Sequence, residues 1–427
     1  MSVRKNPPLT SAIPVAALSI PKPETLRLQN GILVYFLPIG EQELIKLELI
    51  FAAGRWQEPQ KMLSRLTAKM LKMGTTQHTA AELADKLEYF GTKLKINDEF
   101  DSSSLQVFCL KKHFEPILAL IMEILTEANF PPEELATLIK RNQERLKVDL
   151  CKGDFVAYRS LTEQIFGAAH PYGYNSSFEL YESLQVVDLQ QFYAQTYTAA
   201  NCKIALSGSV DSSILGLLDK YLGKLPIGQA IIPPVQPELP PIKGGKFQLF
   251  LDKKENMQTS IRIGRRLFGK NHPDYAGFSL LNTVLGGYFG ARLMQNLRED
   301  KGYTYGAYSS VDDLAQTGYF YLDTEVGQAV KIDALAQIYK EMDILSEKLI
   351  PKNELDMVRS YLMGSYLTAL DGFFNLSNLL SDMVKFNLEP DFFQQLITQS
   401  QTIDSPTLRE LARTYLDKNQ LIEVLVS

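Results

Sequence analysis

The feature that most constrains this chain is that it repeats itself once. The segment AAELADKLEYFG at 80–91 answers GARLMQNLREDKG at 290–302, setting Leu83 against Leu293 and Leu87 against Leu297. FPPEEL at 130–135 answers IPKNEL at 350–355, and VDLQQFYAQTY at 187–197 answers IDSPTLRELARTY at 403–415. CKIALSG at 202–208 answers LIEVLVS at the C-terminus. Offsets of about 210 to 220 residues make the repeating unit a domain rather than a solenoid element. Each copy offers early strands, a helix pair, more strands, long helices and a late strand. The predicted fold is therefore α+β, with two homologous domains, each a mainly antiparallel sheet packed against a layer of helices.

Punctuation residues divide the chain. Pro7, Pro8, Pro14, Pro21 and Pro23 forbid a regular helix over residues 1–24, which read as an extended arm. The first domain spans 25–224. It opens with alternating runs around Asn30-Gly31, a strong hairpin signal, and continues with the strand LIKLELIFAAG. Helical spacing over 60–73 precedes a second helix that stops at Gly91. Strands TKLKIND and SSSLQVFCL follow, then helices over roughly 113–128, 131–152 and 155–167, and another at LQQFYAQTY. Residues 225–245 carry six prolines and no periodicity, a semi-rigid linker between the first domain and a second at 246–427.

Composition excludes several functions. A net charge of -5 gives nucleic acid and anionic membrane surfaces nothing to hold. No stretch reaches the ~20 apolar residues of a membrane span. The interrupted N-terminus is not a signal-peptide core, and Cys109, Cys151 and Cys202 are an odd, scattered set. A cytoplasmic protein in a reducing compartment is expected.

The chemistry-bearing residues are few. The four histidines, His78, His113, His170 and His272, include no pair at helical spacing and read as surface or loop residues. GxSxG, Walker A and GxGxxG signatures are absent. One stretch remains, LGGYFGARLMQNLREDKGYTYGAYSS at 285–310. It predicts an amphipathic helix with Leu293, Met294 and Leu297 inward, a stop at Gly302, and a strand beginning with Tyr303 and Tyr305. That geometry sets Arg298 beside Tyr305 as two donors for an anionic or polarised oxygen. Taken alone, an arginine near a helix end and a tyrosine on a strand are ordinary structural residues. The preceding pair Gly286–Gly287 reads either as a weak anion cradle or as a tight connection that lets backbones approach.

The duplicated unit, the proline-rich linker and NLREDKGYTYGAYSS together resemble the pitrilysin/insulinase metallopeptidases, in the short half-clamp form of processing peptidases. The resemblance spans essentially the whole chain. It implies a half-clamp, with Arg298 and Tyr305 as catalytic contributors and Gly286 and Gly287 at the substrate. The family's HxxEH zinc motif maps, counting back from Gly74-Thr75, onto Arg65, Ala68 and Lys69, so all three functional groups are missing. Glu144 is the candidate for the distal glutamate, with no metal to bind. The resemblance thus implies no metal or cofactor in this chain and no activity by the chain alone. Zinc is expected on a homologous HxxEH-containing subunit, to which this chain contributes Arg298 and Tyr305 for hydrolysis of peptides. The alternative is a non-catalytic, self-associating clamp that binds peptides or serves as a scaffold.

Overall fold

The computed structural model describes residues 20–234, 238–251 and 258–427. The expected arm therefore lies, up to residue 19, outside the described residues, as does the middle of the proline-rich linker.

Local signals build the first half. A hairpin joins β1 (Glu24–Arg27) to β2 (Leu33–Pro38), with Gly31 in the left-handed region at φ 90°. β3 (Leu44–Phe51) leads to α1 (Leu63–Met70) and α2 (Ala80–Tyr89). Thr79 and Glu82 close a reciprocal capping box at the start of α2. β4 (Lys95–Asp98) and β5 (Ser103–Leu110) precede the long helices α3 (Phe114–Glu127), α4 (Pro132–Asp149) and α5 (Gly153–Phe166). α6 (Phe178–Glu182), α7 (Val186–Thr196), β6 (Cys202–Gly208) and α8 (Ser212–Leu222) complete this half. The sequence reading ended the half at β6. α8 follows because Asp211 caps its first amides while Ile214, Leu218 and Leu222 bury one face.

The second half holds β7 (Gly245–Leu249), β8 (Gln258–Leu267) and α9 (Tyr275–Leu285). A π-helical segment (Met294–Asp300) then leads to β9 (Ala307–Asp313) and β10 (Gly318–Gly327). α10 (Lys331–Glu347), α11 (Lys352–Leu370), α12 (Gly372–Phe386), α13 (Phe392–Thr402) and α14 (Ser405–Tyr415) precede β11 (Ile422–Val426).

Sheet topology shows the duplication directly. The first sheet runs β1-β2-β6-β3-β5-β4 and the second β7-β11-β8-β10-β9. Apart from the added β1 the two orders correspond strand for strand. Each contains one parallel pair, β2 with β6 and β7 with β11, while the remaining ladders are antiparallel. The late strand of each half thus returns to the middle of its own sheet.

Each sheet is buried on both faces, and the halves exchange a helix to achieve it. On β3, Ile45, Leu47, Leu49 and Phe51 face the core shared with α1, α3 and α7. The alternate residues face α12, whose Leu380, Met383 and Val384 pack on Leu37, Ile50 and Ala205. Reciprocally, Ala157, Leu161 and Ile165 of α5 pack on Tyr319 and on Ile422, Val424 and Val426 of the second sheet. Gly264 permits this approach, since a Cβ there would lie 2.4 Å from the Phe320 carbonyl oxygen and 3.2 Å from Leu161.

The α12 crossing buries charge as well as hydrocarbon. Lys46 and Glu48 are each 2% exposed. Lys46 Nζ donates to Asn378 Oδ1 at 2.9 Å and Ser381 Oγ at 3.1 Å. Glu48 accepts from the Ser381 hydroxyl and pairs with Lys385 at 3.1 Å, and Lys385 also holds Glu99 at 2.7 Å. Burial pushes the Lys46 ammonium below its ordinary value. Burial would raise Glu48, but Lys385, Ser381 and Lys46 together hold it below the usual carboxylate range.

Candidate functional site

The stretch at 285–310 forms a rigid platform with an exposed tip. Gly286 and Gly287 end α9, and both amides donate to the Asn282 carbonyl at 2.9 Å. The Gly286 carbonyl accepts from Ser309 of β9 at 3.1 Å. A Cβ on Gly286 would sit 2.6 Å from the Ser309 nitrogen, and one on Gly287 2.7 Å from Thr283 Cα. The pair is a close-packing joint between α9 and β9, and its amides are already engaged, which removes the anion-cradle reading.

The helix after the glycines keeps its expected apolar side, since Leu293, Met294 and Leu297 are fully buried. Its backbone differs from the expected α-helix. Met294–Asp300 is π-helical, and Lys301 donates five residues back to the Asn296 carbonyl at 3.0 Å. Such wide turns concentrate at functional sites. Side chains lock the segment in place: Arg292 makes a two-pronged bond to Glu354 at 2.7 and 2.9 Å, and Asn296 donates to Glu341 at 2.7 Å.

Gly302 stops the turn at φ 65°, as expected, and Tyr303 donates to the Leu297 carbonyl at 2.8 Å. The strand does not begin at Tyr303 or Tyr305; β9 starts at Ala307. Residues 303–306 form a loop because Thr304 Oγ1 accepts the Gly306 amide at 3.1 Å, and the Thr324 hydroxyl holds the Gly306 carbonyl at 2.8 Å. The loop base is thereby fixed while its tip, Tyr305, is 92% exposed. Arg298 is half-buried, with its guanidinium 4.6 Å from the centre of the Phe289 ring and its Nε 3.6 Å from Glu299. No hydrogen bond joins Arg298 to Tyr305 among the described residues. Both project from a braced segment as donors available to a ligand.

The second group lies on α1, where Arg65 and Lys69 stand one turn apart and share one carboxylate. Asp98, the last residue of β4, is 3.3 Å from Arg65 Nε and 4.0 Å from Lys69 Nζ. Ala68 between them is buried. Burial, then the like charges of Arg65, Arg141 and Arg145, depresses the Lys69 ammonium, with Asp98 opposing. From α4 the charges of Arg141 and Arg145 act on Lys69, and Arg141, Glu144 and Arg145 are all exposed. Asp98, Arg141 and Arg145 were missed in the sequence. Only the i, i+4 spacing of each cation pair was visible there, because the carboxylate that gathers them comes from a strand edge about 30 residues on.

Of the histidines, His78 pairs with Glu123 at 2.8 Å and His272 stacks on Phe268 at 4.2 Å. His170 is not a surface residue. It is 2% exposed among Trp56, Phe166 and Tyr172, with Nδ1 accepting the Tyr172 amide at 3.1 Å. Burial and then Arg266 lower its pKa, as suits a neutral acceptor.

Comparison with known families bears on this geometry. Residues 41–170 match the family described as insulinase, peptidase family M16, and residues 183–362 match the peptidase M16 inactive domain. The chain belongs to the insulinase (M16) family. Among insulinase-family relatives, the non-peptidase homolog YmxG of Helicobacter pylori is 26% identical over 92% of this chain and 90% of its own length. The crystal structure of a peptidase M16 inactive domain from Pseudomonas fluorescens superposes with a TM-score of 0.86 at 24% identity, covering 95% of this chain and 98% of that one. The periplasmic protease PqqL from Escherichia coli superposes with a TM-score of 0.77 at 18% identity, over 95% of this chain and 47% of PqqL. One insulinase-family half-clamp of this kind thus corresponds to about half of that longer protein.

Zinc is the metal that membership in a metallopeptidase family brings to mind, and the residues at 65, 68 and 69 do not fit it. An arginine, a methyl group and a lysine offer no ligand, and the adjacent carboxylate is engaged by the two cations. Among the described residues no group of three or more His, Cys, Asp or Glu side chains converges as a metal site. Among them also, no helix is long and apolar enough to cross a membrane.

Proposed function

We propose that this chain is the non-metal-binding subunit of a heteromeric, processing-peptidase-like metalloendopeptidase, inactive alone. It supplies Arg298 and Tyr305 to the active site of a homologous, HxxEH-containing partner that carries the zinc. The observation that carries the reading is Tyr305, a phenol 92% exposed on a loop whose base is fixed by Thr304 and Thr324. A tyrosine that serves packing buries its ring, and this one leaves nearly all of its surface outside the fold. The resemblance sets positions 65, 68 and 69 against the family's zinc motif, and their chemistry supports loss of that motif. The printed description of the Helicobacter pylori relative as a non-peptidase homolog points the same way.

In this role Arg298 and Tyr305 hydrogen-bond the substrate carbonyl and the negative charge that develops on it, while the partner provides the nucleophile. The braced π-helical segment holds the donors before substrate arrives, which is what electrostatic stabilisation requires. Gly286 and Gly287 contribute by seating β9, the outer strand of the second sheet, beside the peptide. Cys109 and Cys202 as buried thiols and Cys151 as an exposed one are consistent with a cytoplasmic setting.

The test is reconstitution with the HxxEH-containing homologue from the same genome, followed by turnover of unstructured peptides. Arg298→Ala or Tyr305→Phe should lower turnover by about 10²–10³-fold, the cost of one lost oxyanion donor. Unchanged turnover in both variants would sink the reading. A second reading, a self-associated scaffold or peptide clamp without catalysis, is favoured by the exposed rings of Phe289, Tyr305 and Tyr308, which suit a surface covered by another chain. A stable homodimer that excludes the homologue distinguishes it.

A further inference from the structure

Where α1 meets β4, two cations share one acid, and two more cations on α4 act on Lys69. Arg65 and Lys69 stand one turn apart on α1, and Arg141 and Arg145, one turn apart on α4, add their charge to the field at Lys69. Asp98 alone stands between the two α1 cations. Arg145 reaches a second carboxylate, Asp149, at 3.5 Å, but Lys152 holds the same carboxylate at 2.7 Å. Arg141 is exposed and has no acidic partner among the described residues. Like charges gathered at this density repel one another, and an arriving anion relieves that repulsion.

The neighbouring cavity, about 470 Å³ and lined in part by Arg65 and Asp98, also contains Glu99, Asp101 and Asp313. Those acids are committed elsewhere. Glu99 is paired with Lys385, Asp101 accepts the Tyr172 hydroxyl and the Ala315 amide, and Asp313 is held by Lys270 and Tyr275. The Arg55 guanidinium is likewise committed, to the carbonyls of Pro171 and Tyr174. Arg65 is the donor left at the cavity, with Lys69 behind it on the same carboxylate, and a guanidinium in contact with a single carboxylate oxygen keeps most of its N–H groups free. Among the described residues β4 ends the first sheet with β5 as its one ladder partner, so its outer edge can pair with an extended chain.

We infer that this corner recognises the carboxylate of an extended peptide laid along the outer edge of β4, with Arg65 and Lys69 as the contacting groups and Arg141 and Arg145 as the surrounding field. The carboxylate belongs either to a C-terminus or to an acidic side chain. The choice of a peptide as carrier rests on the peptide-clamp reading above, whereas the sign and place of the site rest on the charges alone.

The experiment measures binding of dye-labelled peptides of one sequence in four forms, with the C-terminus free or amidated and a central residue Glu or Gln. Free glutarate is titrated separately by calorimetry. At low salt the charged forms should bind about tenfold tighter than the neutral one, and salt should erode the advantage. Whichever single-charge form keeps that advantage identifies the source of the carboxylate. The advantage should vanish in R65Q/K69Q and persist in K348Q, a change at an exposed lysine of the second half. Asp98→Asn removes the internal competitor and should tighten the charged peptide severalfold, a gain that misfolding cannot imitate. Equal binding of all four forms without glutarate binding, or an advantage that survives R65Q/K69Q, overturns the site. Neutral peptide binding without a charge advantage overturns the site and leaves the clamp reading standing. Glutarate binding that depends on Arg65 and Lys69, with no peptide bound, keeps the anion site and retires the clamp reading.

Discussion

Ser381 of α12 donates its hydroxyl to Glu48 of β3 at 2.6 Å, across 333 residues of chain. The contact belongs to the helix exchange in which each half covers the outer face of the other's sheet. At the α12 crossing the exchange buries charge. Lys46, Glu48 and Lys385 form a small network whose members depend on one another, since desolvated ions are tolerated only when paired and hydrogen-bonded.

Removing one member should therefore cost more than removing all three. Glu48→Ala is expected to destabilise the chain by about 3–5 kcal/mol, because it strands the buried Lys46 ammonium and takes one of the two carboxylates from Lys385. The triple change Lys46→Met, Glu48→Leu and Lys385→Met should recover most of that loss. Chemical denaturation of the three proteins checks both statements, and a triple variant no better than Glu48→Ala would contradict them.

The same network sets a pH dependence. The folded-state pKa of Glu48 lies below its unfolded value, so its contribution is present above the ordinary carboxylate pKa. It is lost as pH falls through the depressed folded value. The melting temperature of the wild type should drop on the acid side, and Glu48→Gln should flatten that limb. Parallel acid limbs in the two proteins would show that Glu48 does not titrate in this way.

Helix exchange also predicts the consequence of cutting the chain. Cleavage between residues 225 and 245 should leave the two halves associated, since separation exposes the apolar surfaces of α5 and α12 together with the sheet faces they cover. Size-exclusion chromatography of the nicked protein should give a single peak at the mass of the intact chain. Two separate peaks would mean that the exchanged helices contribute little.

Gly286→Ala tests the joint that carries the candidate site. Its Cβ would fall 2.6 Å from a backbone nitrogen of β9, and overpacking against backbone typically costs about 1–3 kcal/mol. Arg298→Ala and Tyr305→Phe remove exposed or half-exposed groups and should stay within about 0.5 kcal/mol of wild type. Thermal melts separate the two classes, and a large loss in Tyr305→Phe would mean the phenol serves the fold.

Much of this architecture was legible in the sequence because the duplication repeats its hydrophobic pattern. Leu83 and Leu87 bury as Leu293 and Leu297 do, and CKIALSG and LIEVLVS both become the parallel-paired strand inside a sheet. The resemblance carried by NLREDKGYTYGAYSS led to the right family. Backbone detail was less visible. A π-helical turn keeps Leu293, Met294 and Leu297 buried, so periodicity reads it as an ordinary helix, and Thr304 delays the strand to Ala307 through a side-chain bond no pattern announces. His170 before a proline reads as loop and is one, yet three aromatic rings bury it. The helix exchange and the pairing of Arg65 and Lys69 with Asp98 depend on tertiary placement, which local spacing does not contain.

The central claim is that this chain carries half of an active site and no catalytic metal. The most direct measurement is the zinc content of the purified full-length protein after dialysis against zinc and then buffer, read together with its hydrolysis of unstructured peptides. The account predicts far less than one zinc per chain and no hydrolysis until the HxxEH-containing homologue is added. One tightly held zinc per chain together with hydrolysis by the chain alone would contradict it.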